Sequence, residues 1–135
     1  MIKFRDNLFL GDLDDVGILL VSNKNDISAI VLVDTDLLMT RAAIGNLKKL
    51  NISIFKVGLQ ANAINKPHVK DIACHIPKYM IECGEKVLII SDDPSKQASF
   101  VACRAICELE QKTIYEIMLE LKSLWPDFDI GAAYL

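Results

Sequence analysis

The chain has 135 residues, enough for one domain with a sizeable core, and 52% of them are apolar, which excludes a disordered polymer. Its formal net charge is −3 and its basic residues are scattered, so no general attraction to nucleic acid or anionic lipid is expected. No apolar run approaches the roughly 18 residues that span a bilayer, and Met1-Ile2-Lys3-Phe4-Arg5-Asp6 lacks a signal-peptide pattern, so a soluble, cytoplasmic protein without a membrane partner is expected.

In chain order, Phe4 to Leu10 predicts a short strand that ends at the turn Gly11-Asp12. Gly17 to Ser22 suits a short helix or a strand, and the pattern leaves both open. Ile27 to Val33 is a β-branched apolar run, the signature of a strand buried on both faces. Thr40 to Leu50 predicts a helix with Ala43, Leu47 and Leu50 on one side and Lys48-Lys49 solvating its end. Ile52 to Val57 is another strand. Val69, Ile72, Ile76, Met80 and Cys83 follow helical spacing, with Asn65 placed to cap the start and Gly84 to stop the end. Pro77 inside that pattern predicts a kink or an interruption. Val87 to Ile90 is the central strand, and Ala98 to Leu109 a largely apolar helix. Thr113-x-x-Glu116 is a capping box that opens a last helix through Ile114, Ile117, Met118, Leu121 and Leu124, closed by Pro126; Trp125 and Phe128 finish the core. Strands alternating with helices imply a single-domain α/β protein over residues 1–135, with a mostly parallel central sheet flanked by helices.

Side chains able to hold a metal do not cluster in the sequence. Cys74, Cys83, Cys103 and Cys107 all lie in helical apolar patterns, and no Cys-x-x-Cys pair occurs. A zinc site built on Cys103, Cys107, Cys74 and His75 is conceivable, but free cysteines acting as small hydrophobes are far commoner. Asp34-Thr35-Asp36 follows a buried strand where ligands gather in α/β folds, and loop turn chemistry accounts for it. No metal and no cofactor is expected.

The most informative stretch is Val87-Leu88-Ile89-Ile90-Ser91-Asp92-Asp93-Pro94-Ser95-Lys96-Gln97-Ala98-Ser99-Phe100-Val101. A buried strand, a tight polar loop and an apolar helix are the layout of a phosphate cradle, in which loop amides and a helix N-terminus point at an anion. The loop itself opposes that role. It carries two carboxylates, Asp92 and Asp93, and Pro94 removes one amide donor; neither arginine nor cysteine is present. Asp92 and Asp93 suit the capping of the following helix, and Ser95 or Ser99 can add capping hydrogen bonds.

Together these pieces resemble a small dual-specificity protein phosphatase domain of the cysteine-dependent tyrosine phosphatase superfamily. Asn7-Leu8-Phe9-Leu10-Gly11-Asp12 is similar to that family's N-terminal strand, Leu-aromatic-Leu-Gly-Ser. Gly84-Glu85-Lys86-Val87-Leu88-Ile89-Ile90 resembles its Gly-x-x-Val-Leu-Val-His run, and Trp125-Pro126-Asp127-Phe128-Asp129-Ile130 stands where the family carries Arg-Pro. The likeness spans essentially the whole chain.

The family acts through His-Cys-x-x-Gly-x-x-Arg-Ser/Thr: the thiolate attacks phosphorus, and the arginine clamps the phosphoryl oxygens. The resemblance puts Ile90 at the histidine, Ser91 at the cysteine, Pro94 at the glycine, Gln97 at the arginine and Ala98 at the hydroxyl residue. A serine hydroxyl is far less acidic than a thiol, and both histidines, His68 and His75, belong to the preceding helical segment. Gln97 carries no charge, so the clamp is lost. Asp92 and Asp93 would each repel a bound dianion by about 2–4 kcal/mol, which Lys96 offsets only in part. The family's aspartate general acid falls near Gln60, and glutamine cannot protonate a leaving oxygen. An engineered cysteine-to-serine exchange would explain Ser91 alone, not Pro94, Gln97 and Gln60, so Ser91 is read as native.

The resemblance therefore implies a catalytically inactive phosphatase-like protein, a pseudophosphatase, that binds or regulates a protein partner. Two alternatives stand beside it. One is an enzyme of altered chemistry, using Asp92 or Asp93 as nucleophile or as ligand to a divalent metal beside Asp34 or Asp36. The other is a rhodanese-like α/β binding module that shares only the strand–loop–helix element.

Overall fold

The computed structural model of the chain describes residues 1–34, 39–59, 67–94 and 96–128. Its strands are β1 (Ile2–Arg5), β2 (Leu8–Gly11), β3 (Ala29–Asp34), β4 (Ser53–Leu59) and β5 (Val87–Ile90). Its helices are α1 (Leu13–Val21), α2 (Arg41–Lys49), α3 (Pro67–Glu82), α4 (Gln97–Glu110) and α5 (Ile114–Leu124). The strands form one sheet in the order β1-β2-β5-β3-β4. β1 pairs with β2 antiparallel, and every other pairing is parallel.

Alternate residues of a strand point to opposite faces, and here both faces are dry. Leu8, Leu10, Ala29, Val31, Val87 and Ile89 pack on one side with Ala73 and Met80 of α3, Phe100 and Ile106 of α4, and Ile117 and Leu121 of α5. Phe9, Ile30, Leu32, Leu88 and Ile90 pack on the other with Val16 and Leu19 of α1 and Leu47 of α2. The expected mostly parallel α/β architecture is observed, with β5 at its centre.

Several local expectations need correction. The single strand over Phe4 to Leu10 is two strands of a hairpin, because the turn formers Asp6-Asn7 interrupt it. Gly17 to Ser22, left undecided, falls largely within α1; Asp12 caps that helix and Asp15 returns the bond, a reciprocal box of two aspartates. Helix α3 runs unbroken through Pro77, so no interruption occurs. One intrahelical hydrogen bond is forfeited there, and the proline is buried. Leu50 and Leu124, expected on apolar faces, are 48% and 55% exposed at the ends of α2 and α5. Cys83 lies just past α3 and is exposed, not packed in a helix. Gly84 follows with φ of 86°, the left-handed stop expected of it. Asn65 lies outside the described residues.

Candidate functional site

Central position and parallel pairing fix where chemistry can occur. The C-terminal end of β5 lies between those of β2 and β3, with Gly11 and Leu32 both opposite Ile90. In open parallel sheets ligands bind in the crevice beyond such ends. Ser91 is the first residue past β5. Its amide donates to the Gly11 carbonyl at 3.2 Å, and the residue is fully buried.

The loop is closed by its own hydrogen bonds. The Ala98 amide, in the first turn of α4, donates to the Ser91 hydroxyl oxygen at 3.3 Å. The Lys96 amide donates to the Asp93 carbonyl at 3.0 Å. The Ser99 hydroxyl and amide both donate to the Pro94 carbonyl, at 2.6 and 3.1 Å. Ser99 is thus a buried brace of the loop, close to the capping role expected of it. The N-cap position of α4 falls on Lys96, which makes no side-chain cap bond. Asp92 and Asp93 therefore stand ahead of the cap position itself. The capping oxygen the structure reveals for Ala98 comes from Ser91, seven residues upstream.

The loop's described charged side chains face outward. Asp92, Asp93 and Lys96 are exposed, and Pro94 and Gln97 half-buried; the Lys96 ammonium lies 3.8 Å from Asp93. Asp92 shares a cavity of about 290 Å³ with Asp12, Leu13 and Asp14. The start of α1 and the β5–α4 loop thus meet at one mouth, and three of its four lining residues are aspartates. Asp12, read in the sequence only as part of a turn, and Asp14 are brought beside Asp92 by the pairing of β2 with β5, strands far apart along the chain. Their signal was the Asp12-x-x-Asp15 spacing, a helix start directly after a strand. Gly11 leaves room at this junction for the Asp15 carboxylate, which a Cβ there would force to shift.

Other candidate residues are elsewhere. His68 and His75 are exposed on α3, and no described hydrogen bond joins either to Ser91; His75 lies 3.9 Å from Glu108. Cys74 and Cys103 are buried, and desolvation pushes their thiols up to about 12. Gln60, Ser95, Thr35 and Asp36 lie outside the described residues, and of Asp34 the backbone is described as the end of β3. Among the described residues no group of three or more His, Cys, Asp or Glu side chains is arranged to hold a metal ion.

No protein-family model matches the chain, and no curated protein matches it in sequence. Solved structures match it in shape. Human DUSP28 superposes with a TM-score of 0.80 at 12% identity, over 99% of this chain and 90% of that one. This is the fold of a dual-specificity phosphatase domain. The human tyrosine phosphatase-like serine/threonine/tyrosine-interacting protein gives a TM-score of 0.78 at 13% identity, over 99% of this chain and 89% of that one. A leucine-rich-repeat and phosphatase-domain protein of Entamoeba histolytica gives 0.74 at 17% identity, over 98% of this chain and 83% of that one. The dual-specificity phosphatase fold extends over nearly the whole chain and replaces the rhodanese-like alternative as the architectural reading. Among the described residues no helix is long and apolar enough to cross a membrane.

Proposed function

We propose that this protein is a pseudophosphatase: a dual-specificity phosphatase-like domain that turns over no phosphate ester and works by engaging a protein partner. The observation that carries this reading is the state of Ser91. Its hydroxyl is buried and accepts the Ala98 amide, in a loop whose mouth is lined by Asp12, Asp14 and Asp92. An attacking oxygen needs a base to take its proton, and neither histidine hydrogen-bonds to it. Transition-state charge needs a cation or preorganised donors, and removing one such donor typically costs about 100-fold to 1,000-fold in rate. At this loop Gln97 is neutral, Pro94 donates nothing, and carboxylates ring the entrance. These deficits act on separate steps, so each adds to the others.

A binding role is what such a frame can still perform. The rim formed by the β5–α4 loop and the start of α1 is a surface of fixed geometry and negative charge, suited to a protein partner with basic groups rather than to a phosphorylated one. One structural neighbour is itself named as phosphatase-like and as an interacting protein, which fits this role.

Incubation of the purified protein with para-nitrophenyl phosphate and with phosphotyrosine and phosphothreonine peptides is expected to release no phosphate above buffer. Turnover that disappears in Ser91→Ala would overturn the proposal. Orthovanadate titrated into isotope-labelled protein is expected to leave the amide signals of Ser91 and Ala98 in place.

A further inference from the structure

β4 is an edge strand: it pairs with β3 on one side, and no described strand pairs with the other. The Ser53 amide donates to the Ser28 carbonyl at 3.0 Å. In a parallel ladder this turns the main-chain groups of Ser53 and Phe55 toward β3 and those of Ile54 and Lys56 outward. Each side of this open edge carries a groove. On the α3 side, Phe55, 46% exposed, stands over a hollow of about 730 Å³ floored by Ile72, Ile76, Tyr79 and Met80. On the α2 side, Ile54 lines a second hollow of about 630 Å³ with Ile44 and Lys48.

The two sides differ in charge. Lys48 and Lys49 are exposed in the last turn of α2, and Lys56 is exposed two residues beyond Ile54, on the same side. Among the described residues no ion pair engages any of the three. The carboxylates of the α3 groove are already engaged, Glu82 by Lys78 and Glu85 by the Ser28 hydroxyl. Among the described residues, a cluster of lysines without an ion-pair partner, in a chain of net charge −3, marks this side of the edge as locally cationic.

We propose that the β4 edge docks an extended segment of a partner protein in which apolar and acidic side chains alternate. The outward amides and carbonyls of Ile54 and Lys56 select a strand, as in other cases where a peptide extends a sheet. Side chains of such a strand alternate between the two grooves: apolar ones enter the α3 side, and acidic ones meet Lys48 and Lys56. A second copy of this chain fits poorly, because β4 paired with β4 brings like-charged Lys56 side chains together, and edge lysines oppose self-pairing. The surface lies away from the Ser91 loop, and the inference does not depend on whether that loop is inactive.

The test uses two fluorescein-labelled octapeptides, one alternating leucine with glutamate and one alternating leucine with lysine, read by anisotropy and by amide shifts. The leucine–glutamate peptide is expected to bind at least about tenfold more tightly and to shift the amides of Ile54 and Lys56. The double variant Lys48→Glu, Lys56→Glu is expected to reverse the preference, a gain for the other peptide that misfolding cannot mimic. Lys56→Pro removes an outward amide while sparing the ladder to β3, and it is expected to weaken the leucine–glutamate peptide by at least about tenfold. Equal binding of the two peptides to the unaltered protein, or shifts confined to the Ser91 loop, would overturn the inference. So would a dimer in sedimentation that Lys56→Pro abolishes, since the occupant would then be a second copy.

Discussion

Ser91 has a structural task. Its oxygen is the partner of a buried amide at the start of α4, and helix N-termini leave their first amides without intrahelical acceptors. Ser91→Ala would remove that partner at a position shut off from solvent. The expected loss is about 1–3 kcal/mol of unfolding free energy, measured by urea denaturation with the slope unchanged. The sequence alone located this residue and its loop, because a buried strand followed by turn residues and an apolar helix has few other readings. It could not identify the acceptor of the Ala98 amide. Serine in a loop is equally suited to solvent, and only burial decides. Asp12 and Asp14 were out of reach for a different reason: their proximity to Asp92 comes from the pairing of β2 with β5, which no local pattern records.

At the scale of elements, local chemistry was readable wherever a cap and a periodic face agreed. Thr113 and Glu116 form the reciprocal capping bonds their spacing implied, and α5 follows at once. α1 lacked that agreement: its apolar run from Val16 through Leu20 mimics a strand, and the box of Asp12 and Asp15 settles it. The β1–β2 hairpin shows a tertiary tie that no periodicity carries. Arg5 of β1 donates to Glu110 of α4 at 2.8 and 3.2 Å and to Glu120 of α5 at 2.5 Å, and Lys112 joins both carboxylates. Hydrogen bonds from Arg5 hold the Glu110 and Glu120 carboxyls below the usual range. Their contribution is therefore complete above the unfolded carboxyl value of about 4.3 and fades as pH falls through the depressed folded values. Arg5 stays protonated throughout. Arg5→Ala is expected to cost about 1 kcal/mol or less at neutral pH, given the partial exposure of the pair. It should also flatten the loss of stability below about pH 4.3 in a melting series.

For the molecule as a whole, stability is graded from the centre of the sheet outward. β5 has a neighbour on each side and helices over both faces, and all four of its residues are buried. β1 and β4 are edges. Amide exchange followed by NMR is expected to be slowest for Leu88 to Ile90, at rates set by global unfolding, and faster for the outward amides of Ile54 and Lys56. The same strand order governs the chain as it leaves the ribosome. β2 is synthesised about 80 positions ahead of its parallel neighbour β5. Loops of that length close slowly, and in the interval Leu8, Phe9 and Leu10 have no sheet to join. Until β5 emerges, the nascent chain thus carries a sticky, half-satisfied hairpin, of the kind that chaperones shielding apolar strands recognise.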